Sequence, residues 1–190
     1  MAMFYCIVLV ATPLMSTLCE GAFCAGGKLE KKEIDEYVLN PANRFRRALA
    51  VGQQNNGASQ QKMPKPKVMA KMTWSCSLER IAMRTLNCPC EDGPRDEEGR
   101  ATVFFQNYAF GGPINATIIG TVFINELAGI DIFTLGGVDS NRVVYKSETP
   151  VVLRTYVNVI RPKATEIGCA WVKCNEEDDP FAVYCVLNAK

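Results

Sequence analysis

The nine cysteines of this 190-residue chain are its most reactive side chains. Cys169 and Cys174 lie in the segment EIGCAWVKC, which reads as a β-strand. Side chains alternate between the two faces of a strand, so these cysteines point to opposite faces, about 16 Å apart. Because a disulfide needs Cα atoms within about 7 Å, each cysteine is expected to bond elsewhere.

The cysteine spacings argue against redox and zinc chemistry. Cys169 and Cys174 do not form the Cys-x-x-Cys motif of a redox pair. A zinc site needs about four convergent ligands, and the spacing of Cys88 and Cys90 is not the usual chelating one. Cys185, in the following strand FAVYCVL, is the natural partner for one of the two strand cysteines. A loop or helix beyond the opposite face is expected to supply the partner of the other.

The chain has no histidine. Ser-His-Asp and Cys-His catalysis and histidine-based zinc sites are therefore excluded. A carboxylate pair or a Ser/Lys dyad remains open, but the acidic residues cluster in the loops EDGPRDEEG and NEEDD, where water keeps their pKa values ordinary. NEEDDP also lacks the spacing of a calcium loop, which favours a solvated hairpin tip. We predict a protein that is not an enzyme and has no cofactor or metal.

The N-terminus reads as a secretion signal. Residues 3–15 are apolar, too short a run to cross a bilayer, and small or polar residues follow. We predict a signal peptide over residues 1–21 and a single secreted, extracellular domain over 22–190, with a buried N-terminal strand as the alternative. In an oxidising compartment the remaining cysteines should form disulfides, with one left over. They are Cys24, Cys76, Cys88, Cys90, Cys169, Cys174 and Cys185.

The overall charge indicates neither a nucleic-acid nor a membrane partner. The formal net charge is +1, and 48% of the residues are hydrophobic, which is typical of a globular protein. No general attraction to nucleic acid or anionic membrane is expected from this balance. After residue 15, charged residues interrupt every apolar run, so no membrane insertion is expected.

The segment before residue 52 predicts two helices. Residues 30–39 form an amphipathic pattern, and Asn40-Pro41 predicts a restart with Asn as the N-cap and Pro in the first turn. Gly52 is expected to end the second helix. Its RFRR segment is expected to be a solvated face that points mostly outward, with anion binding as the alternative. The arginines of that face are Arg44, Arg46 and Arg47.

Helical and strand patterns alternate through the rest of the chain. Residues 72–87 predict a helix capped by Ser75 or Ser77, residues 101–110 a strand, and residues 111–133 another helix. The pattern over 149–160 fits either a strand or a helix, and the chain ends in a predicted hairpin. The apolar stripe of the 111–133 helix contains Ile118, Ile119, Val122, Phe123 and Leu127. This order predicts an α+β fold or helices on both sides of a sheet.

Asn115-Ala116-Thr117 matches the N-glycosylation sequon. The alternative is that Asn115 or Thr117 simply caps the helix. Glycosylation and capping are both possible if the glycan projects away from the first turn of the helix. A glycoprotein is therefore predicted, with the cap alone as the other outcome.

Four segments resemble a single CAP domain, the superfamily of cysteine-rich secretory, antigen 5 and pathogenesis-related proteins, also called SCP/TAPS. They are PANRFRRALAVGQ, PKVMAKMTWSCSLERIAMRTLNC, EIGCAWVKC and FAVYCVL. KMTWSCSLE is similar to the nematode activation-associated secreted, or venom-allergen-like, proteins. The resemblance implies an α+β fold, a three-layer α-β-α sandwich. It also implies disulfides: Cys24 with Cys76, Cys169 with Cys185, and Cys174 with Cys88 or Cys90.

The same resemblance implies a cleft that has lost its metal ligands. Many CAP domains carry two histidines and two glutamates there. In this chain Thr155 stands at a histidine position, Asn158 at a neighbouring glutamine position and Gln106 at a glutamate position, while Glu126 matches the remaining glutamate. Since one carboxylate cannot hold a metal, the cleft is expected to be degenerate.

Three functions follow from this resemblance and the residues. The first is a non-enzymatic secreted protein that binds an extracellular partner, in a host–parasite interaction if the nematode likeness holds. Its candidate surfaces are the 53–67 loop, the 90–100 loop and the former cleft. The second is a lipid or sterol carrier with residues 104–110 and 117–124 lining a groove, unless both segments are core. The third, a residual hydrolase, is disfavoured by the lack of histidine.

Overall fold

A four-stranded sheet lies between two layers of helices in a computed structural model of the chain. The structure describes residues 21–86, 97–108, 114–140, 142–144, 149–174 and 180–189. Residues 1–20 of the predicted signal (1–21), the NEEDD turn, Cys88 and Cys90 lie outside the described residues. In chain order the elements are α1 (Lys31–Glu33), a π-helical segment (Ile34–Leu39), α2 (Asn40–Ala50), a 3-10 turn (Gly57–Ser59), β1 (Thr73–Trp74), α3 (Cys76–Thr85), β2 (Thr102–Tyr108), α4 (Ala116–Ile132), α5 (Val151–Val159), β3 (Glu166–Lys173) and β4 (Pro180–Leu187).

The strands follow the order β1-β3-β4-β2 across the sheet. β1 pairs with β3 in parallel, while β4 pairs antiparallel with both β3 and β2. β3 and β4 are the predicted hairpin strands, and their register sets Cys169 opposite Cys185. Side chains alternate in direction along a strand, so each sheet face has its own set, and β4 is buried on both faces.

The two faces of the sheet carry separate hydrophobic cores. Cys169 and Cys185 belong to the larger core, beneath α2, α4 and α5. Cys174 belongs to the smaller core, which α3 covers. The prediction that Cys169 and Cys174 point to opposite faces is therefore confirmed, and so is the three-layer α-β-α sandwich.

The predicted restart at Asn40 is wrong, because residues 31–50 form one continuous helix. Asn40 has helical dihedral angles, and its N–H bonds to the Asp35 carbonyl in the π-helical pattern. Pro41 has no N–H, and in a regular α-helix its ring would clash with the carbonyl four residues earlier. The wider π turn before Pro41 accommodates the ring without ending the helix.

Gly52 ends α2 as predicted. Its φ of 74° lies in the left-handed region that glycine adopts without steric cost. The N–H of Gly52 bonds to the Leu49 carbonyl and that of Gln53 to the Ala48 carbonyl, which satisfies the last turn of the helix.

The structure also shows which elements the segments at 72–87, 101–110 and 149–160 form. Ser75 takes the N-cap position of α3, the 101–110 strand is β2, and the ambiguous 149–160 segment is α5. Helical spacing buries Leu153, Tyr156 and Val157 of α5 against the larger core, which decides between the two alternatives. Among the described residues, no helix is long and apolar enough to cross a membrane.

Two disulfides that the resemblance implied are present. Cys24 bonds Cys76, and Cys169 bonds Cys185. Cys174 is also disulfide-bonded. Its implied partners, Cys88 and Cys90, lie outside the described residues, so the choice between them stays a prediction.

Candidate functional site

Glu126 and Thr155 are the predicted cleft residues that the structure brings into contact. Glu126 lies on α4 and Thr155 on α5, and the Thr155 hydroxyl donates to Glu126 Oε2 at 3.2 Å. Burial raises the pKa of Glu126, and this hydrogen bond opposes the rise. A carboxyl group in such surroundings is a hydrogen-bonding group more than an anionic ligand.

Asn158 and Gln106 occupy other positions. Asn158 lies on α5 and donates to the Thr102 carbonyl, at the start of β2, at 2.7 Å. Gln106 lies on β2 four residues beyond Thr102, roughly 13 Å from it along the strand, and pairs with Ala182 of β4. Among the four aligned positions, the contact that the structure shows is between Glu126 and Thr155, and their correspondence to the family cleft stays a prediction.

The residues present do not fit the divalent metal that CAP domains can hold. A group of metal-ligand side chains does converge among the described residues, at Cys24, Cys76 and Glu79, with ligand atoms within 4.8 Å of one another. The two sulfurs bond each other, so neither is available as a thiolate ligand. With Glu126 held by Thr155 and no histidine in the chain, neither place offers the donor set of a zinc site.

Glu79 is a buried carboxyl group that the sequence did not indicate. It is 1% exposed and accepts a hydrogen bond from Trp74 Nε1 at 2.8 Å. Burial raises its pKa, and the Trp74 hydrogen bond opposes that rise. The contact joins β1 to α3. The sequence signal for the burial of Glu79 was helical spacing, since Glu79 lies on the same buried arc of α3 as Leu78 and Ala82.

The prediction that Arg46 points outward is wrong. Arg46 is 1% exposed, and its guanidinium donates to the carbonyls of Ala70, Val159 and Arg161 at 2.6–3.1 Å. Desolvation lowers its pKa. Arg46 lies between Ala42 and Leu49 on the buried face of α2, a helical spacing that the sequence contains. Arg44 and Arg47 are exposed, as predicted.

Asn115 caps α4. Its Oδ1 accepts a hydrogen bond from the Ile118 N–H at 3.0 Å, and the residue is exposed. Glycan attachment uses Nδ2, so capping and glycosylation are compatible. Glycosylation stays a prediction.

The segments expected to line a lipid groove contribute to the larger core. Phe105 and Phe123 are buried there with ring centroids 6.4 Å apart, and Ile119 is buried beside them. These side chains fill the space between the sheet and α4, so the core alternative describes them correctly.

Two grooves lie on either side of residues 64–71. An apolar groove of about 310 Å³ is lined by Leu49, Pro64, Val157 and Ile160, with Lys65 and Arg161 at its edge. A basic groove of about 560 Å³ is lined by Asn43, Arg44, Arg46, Arg47, Met69 and Lys71.

Comparison with known proteins identifies the family. The profile described as the cysteine-rich secretory protein family, CAP, matches residues 39–188. No curated protein matches the chain at a significant level. Among solved structures, Na-ASP-1 is similar at 19% identity with a TM-score of 0.69, over 88% of this chain and 41% of that one. The chain thus spans less than half of Na-ASP-1.

Two further structures show the same fold. NaASP2 with Zn2+ is 16% identical with a TM-score of 0.62, over 87% of this chain and 83% of that one. BmVAL-1 is 19% identical with a TM-score of 0.62, over 86% of this chain and 80% of that one. With the family profile covering most of the chain, and with the sandwich and two of the three implied disulfides in place, this protein belongs to the CAP family of cysteine-rich secretory proteins.

Proposed function

We propose that this protein is secreted and acts by binding an extracellular partner in a host or tissue, not by catalysis. The observation that carries the proposal is the contact between Glu126 and Thr155, in a chain without histidine. This pair is one half-buried carboxyl group hydrogen-bonded to a hydroxyl. It is not a metal-ligand set, and the chain has no histidine to act as the base for a hydroxyl or thiol nucleophile.

The disulfide framework supports a binding role. The disulfides join β3 to β4 and the N-terminal segment to the start of α3, and a rigid scaffold positions loops for recognition. The 53–67 loop is held in place by hydrogen bonds between Asn56 and Leu135, so it presents one conformation to a partner. Binding without ordering of the loop is favourable, since less conformational entropy is lost.

The test is affinity capture with tagged residues 22–190 from serum or target tissue, followed by titration of each purified protein that is captured. We expect a saturable partner whose binding is lost when residues 53–67 or the cleft are substituted. The reduced and alkylated protein is the control for a folded surface. Zinc retained at one ion per chain after dialysis, or turnover of a substrate, would contradict the proposal.

A lipid carrier is the second candidate function, supported by the apolar groove. Its aliphatic walls and the cations Lys65 and Arg161 suit an amphiphile with an anionic head group. Organic extraction of protein made in cells, followed by mass spectrometry, tests this candidate. A stoichiometric lipid that is lost in a Lys65→Glu variant, which changes an exposed residue of the groove, would favour the carrier over the protein-binding function.

A further inference from the structure

Positive charge is concentrated in one stretch of the chain. Residues 37–78 contain seven lysines and arginines and no aspartate or glutamate, whereas the rest of the chain has fourteen cations and twenty acids. The net charge of +1 therefore conceals two regions of opposite sign. Such a separation creates a local potential that the overall charge does not show.

The fold brings part of this stretch together in the basic groove. Arg44 and Arg47 are exposed on α2, three residues apart and thus on one side of the helix, and Lys71 is exposed across the groove. Within the described part of the chain, none of these three side chains forms an ion pair with a carboxylate. Their charges are available to a ligand.

The wall opposite α2 is held rigidly. Asn43 donates from Nδ2 to the Met72 carbonyl at 3.0 Å and accepts from the Met72 N–H at 2.7 Å. Arg46 donates from Nε and Nη2 to the Ala70 carbonyl. The distance between the two walls is therefore fixed before any ligand binds, which lowers the entropic cost of binding.

Arg46 adds a buried charge behind the groove. Its hydrogen bonds within the described residues are to carbonyl oxygens, which carry partial charges and do not neutralise it. A cation in surroundings that exclude water is screened less than one on the surface. Arg46 therefore reinforces the field of the exposed arginines.

We propose that the basic groove binds a sulfated polysaccharide. Guanidinium and ammonium groups that line a groove suit a polyanion whose sulfates repeat along an extended chain, and a planar guanidinium binds two oxygens of one sulfate with two parallel hydrogen bonds. Among the described residues of the 37–78 stretch, the exposed large apolar side chains are Val51 and Val68, little for anchoring to a lipid surface. The inference goes beyond the proposed function and uses it for the extracellular location alone.

The test measures binding of the disulfide-bonded protein to immobilised heparin. The groove variant is R44Q/R47Q/K71Q, and the matched control is K32Q/R80Q/R84Q, which removes two arginines and one lysine from exposed positions outside the groove. We expect heparin binding that weakens as salt rises, a loss of at least about tenfold in the groove variant, and a change under about threefold in the control. Thermal unfolding checks that both variants are folded.

Three outcomes would overturn the proposal. Equal losses in both variants would mean that net charge alone acts. Undiminished binding to desulfated heparin would exclude sulfate recognition. Stronger groove-dependent binding to phosphatidylcholine–phosphatidylserine vesicles than to heparin would assign the groove to a membrane. None of these results affects capture of a protein partner, so failure here is distinguishable from failure of the proposed function.

Discussion

At the scale of single residues, Glu126 is a half-buried carboxyl group whose partner is a hydroxyl. The Thr155 hydroxyl donates to it, and burial favours its neutral form. A raised pKa in the folded state means that the folded chain binds more protons than the unfolded chain. Stability is therefore lost as the pH rises from the ordinary glutamate pKa, about 4.3, through the raised value.

Thr155→Val should enlarge this pH-dependent loss. The substitution keeps the shape of the side chain and removes the donor that favours the ionised carboxylate. We expect the free energy of unfolding to fall by about 2 kcal/mol at pH 7 and by about half as much at pH 4. Urea unfolding at both pH values measures the difference. In a Glu126→Gln background the two losses should be equal; a pH-dependent difference persisting there would contradict the assignment to Glu126.

Arg46 supports a second prediction at this scale. Arg46→Met should lower the free energy of unfolding by at least about 3 kcal/mol, because the carbonyls of Ala70, Val159 and Arg161 lose their donors inside the protein. Arg44→Met, on an exposed side chain two residues away, should change it by less than about 0.5 kcal/mol. Urea unfolding compares the two, and similar losses would show that Arg46 does not act through buried hydrogen bonds.

Arg46 also shows where reading the sequence fails. Arg46 lies on the buried arc of α2 with Ala42 and Leu49, whereas charged side chains ordinarily favour the surface. The acceptors that satisfy the guanidinium lie 24 to 115 residues away along the chain. Only the tertiary fold brings them to Arg46. Cys169 is the contrast, because strand periodicity and a hairpin partner are local signals.

At the scale of elements, packing decided between strand and helix for residues 151–159, where the propensities of the residues did not. The segment that became α5 is rich in β-branched residues, which suit a strand as well as a helix. Burial against α4 and β2 fixed it as a helix and brought Thr155 to Glu126. That Glu126 and Thr155 correspond to the family cleft stays a prediction, which their contact supports. Asn158 bonds to the Thr102 carbonyl at the start of β2, and Gln106 lies further along that strand.

The approach of α3 to β3 depends on Gly168. A Cβ on this residue would lie 2.0 Å from the Glu79 backbone nitrogen and 2.6 Å from the Leu78 carbonyl carbon. Because backbone atoms of a packed helix cannot move locally, Gly168→Ala should lower the free energy of unfolding by at least about 2 kcal/mol. Gly136→Ala, where a Cβ meets nothing within 4 Å, is the control and should be nearly neutral. Equal melting temperatures for the two variants would refute the close-packing account.

At the scale of the whole molecule, the net charge does not show how the charged residues are distributed along the chain. Near-neutral net charge indicated no attraction to polyanions, yet residues 37–78 carry seven cations without an acid. α2 and the segment of residues 69–71 then bring several of these cations to one groove. The overall composition does not show this clustering of cations, whereas a count of charged residues along the chain does. The groove itself required the fold, because Asn43 and Arg46 set the distance between its walls.

The crosslink between Cys24 and Cys76 should be a main determinant of global stability. It closes a loop with a sequence separation of 52 and ties the N-terminal segment to the start of α3. Restricting a loop of this length in the unfolded chain contributes about 4 kcal/mol in the chain-entropy model. We expect Cys24→Ala/Cys76→Ala to lower the free energy of unfolding by about that amount in oxidising buffer, measured by urea unfolding. In reducing buffer, where the wild type also lacks the bond, the difference should shrink to about 1 kcal/mol, the packing of two small side chains. A loss below about 1 kcal/mol under oxidising conditions would mean that the cores alone hold the layers together.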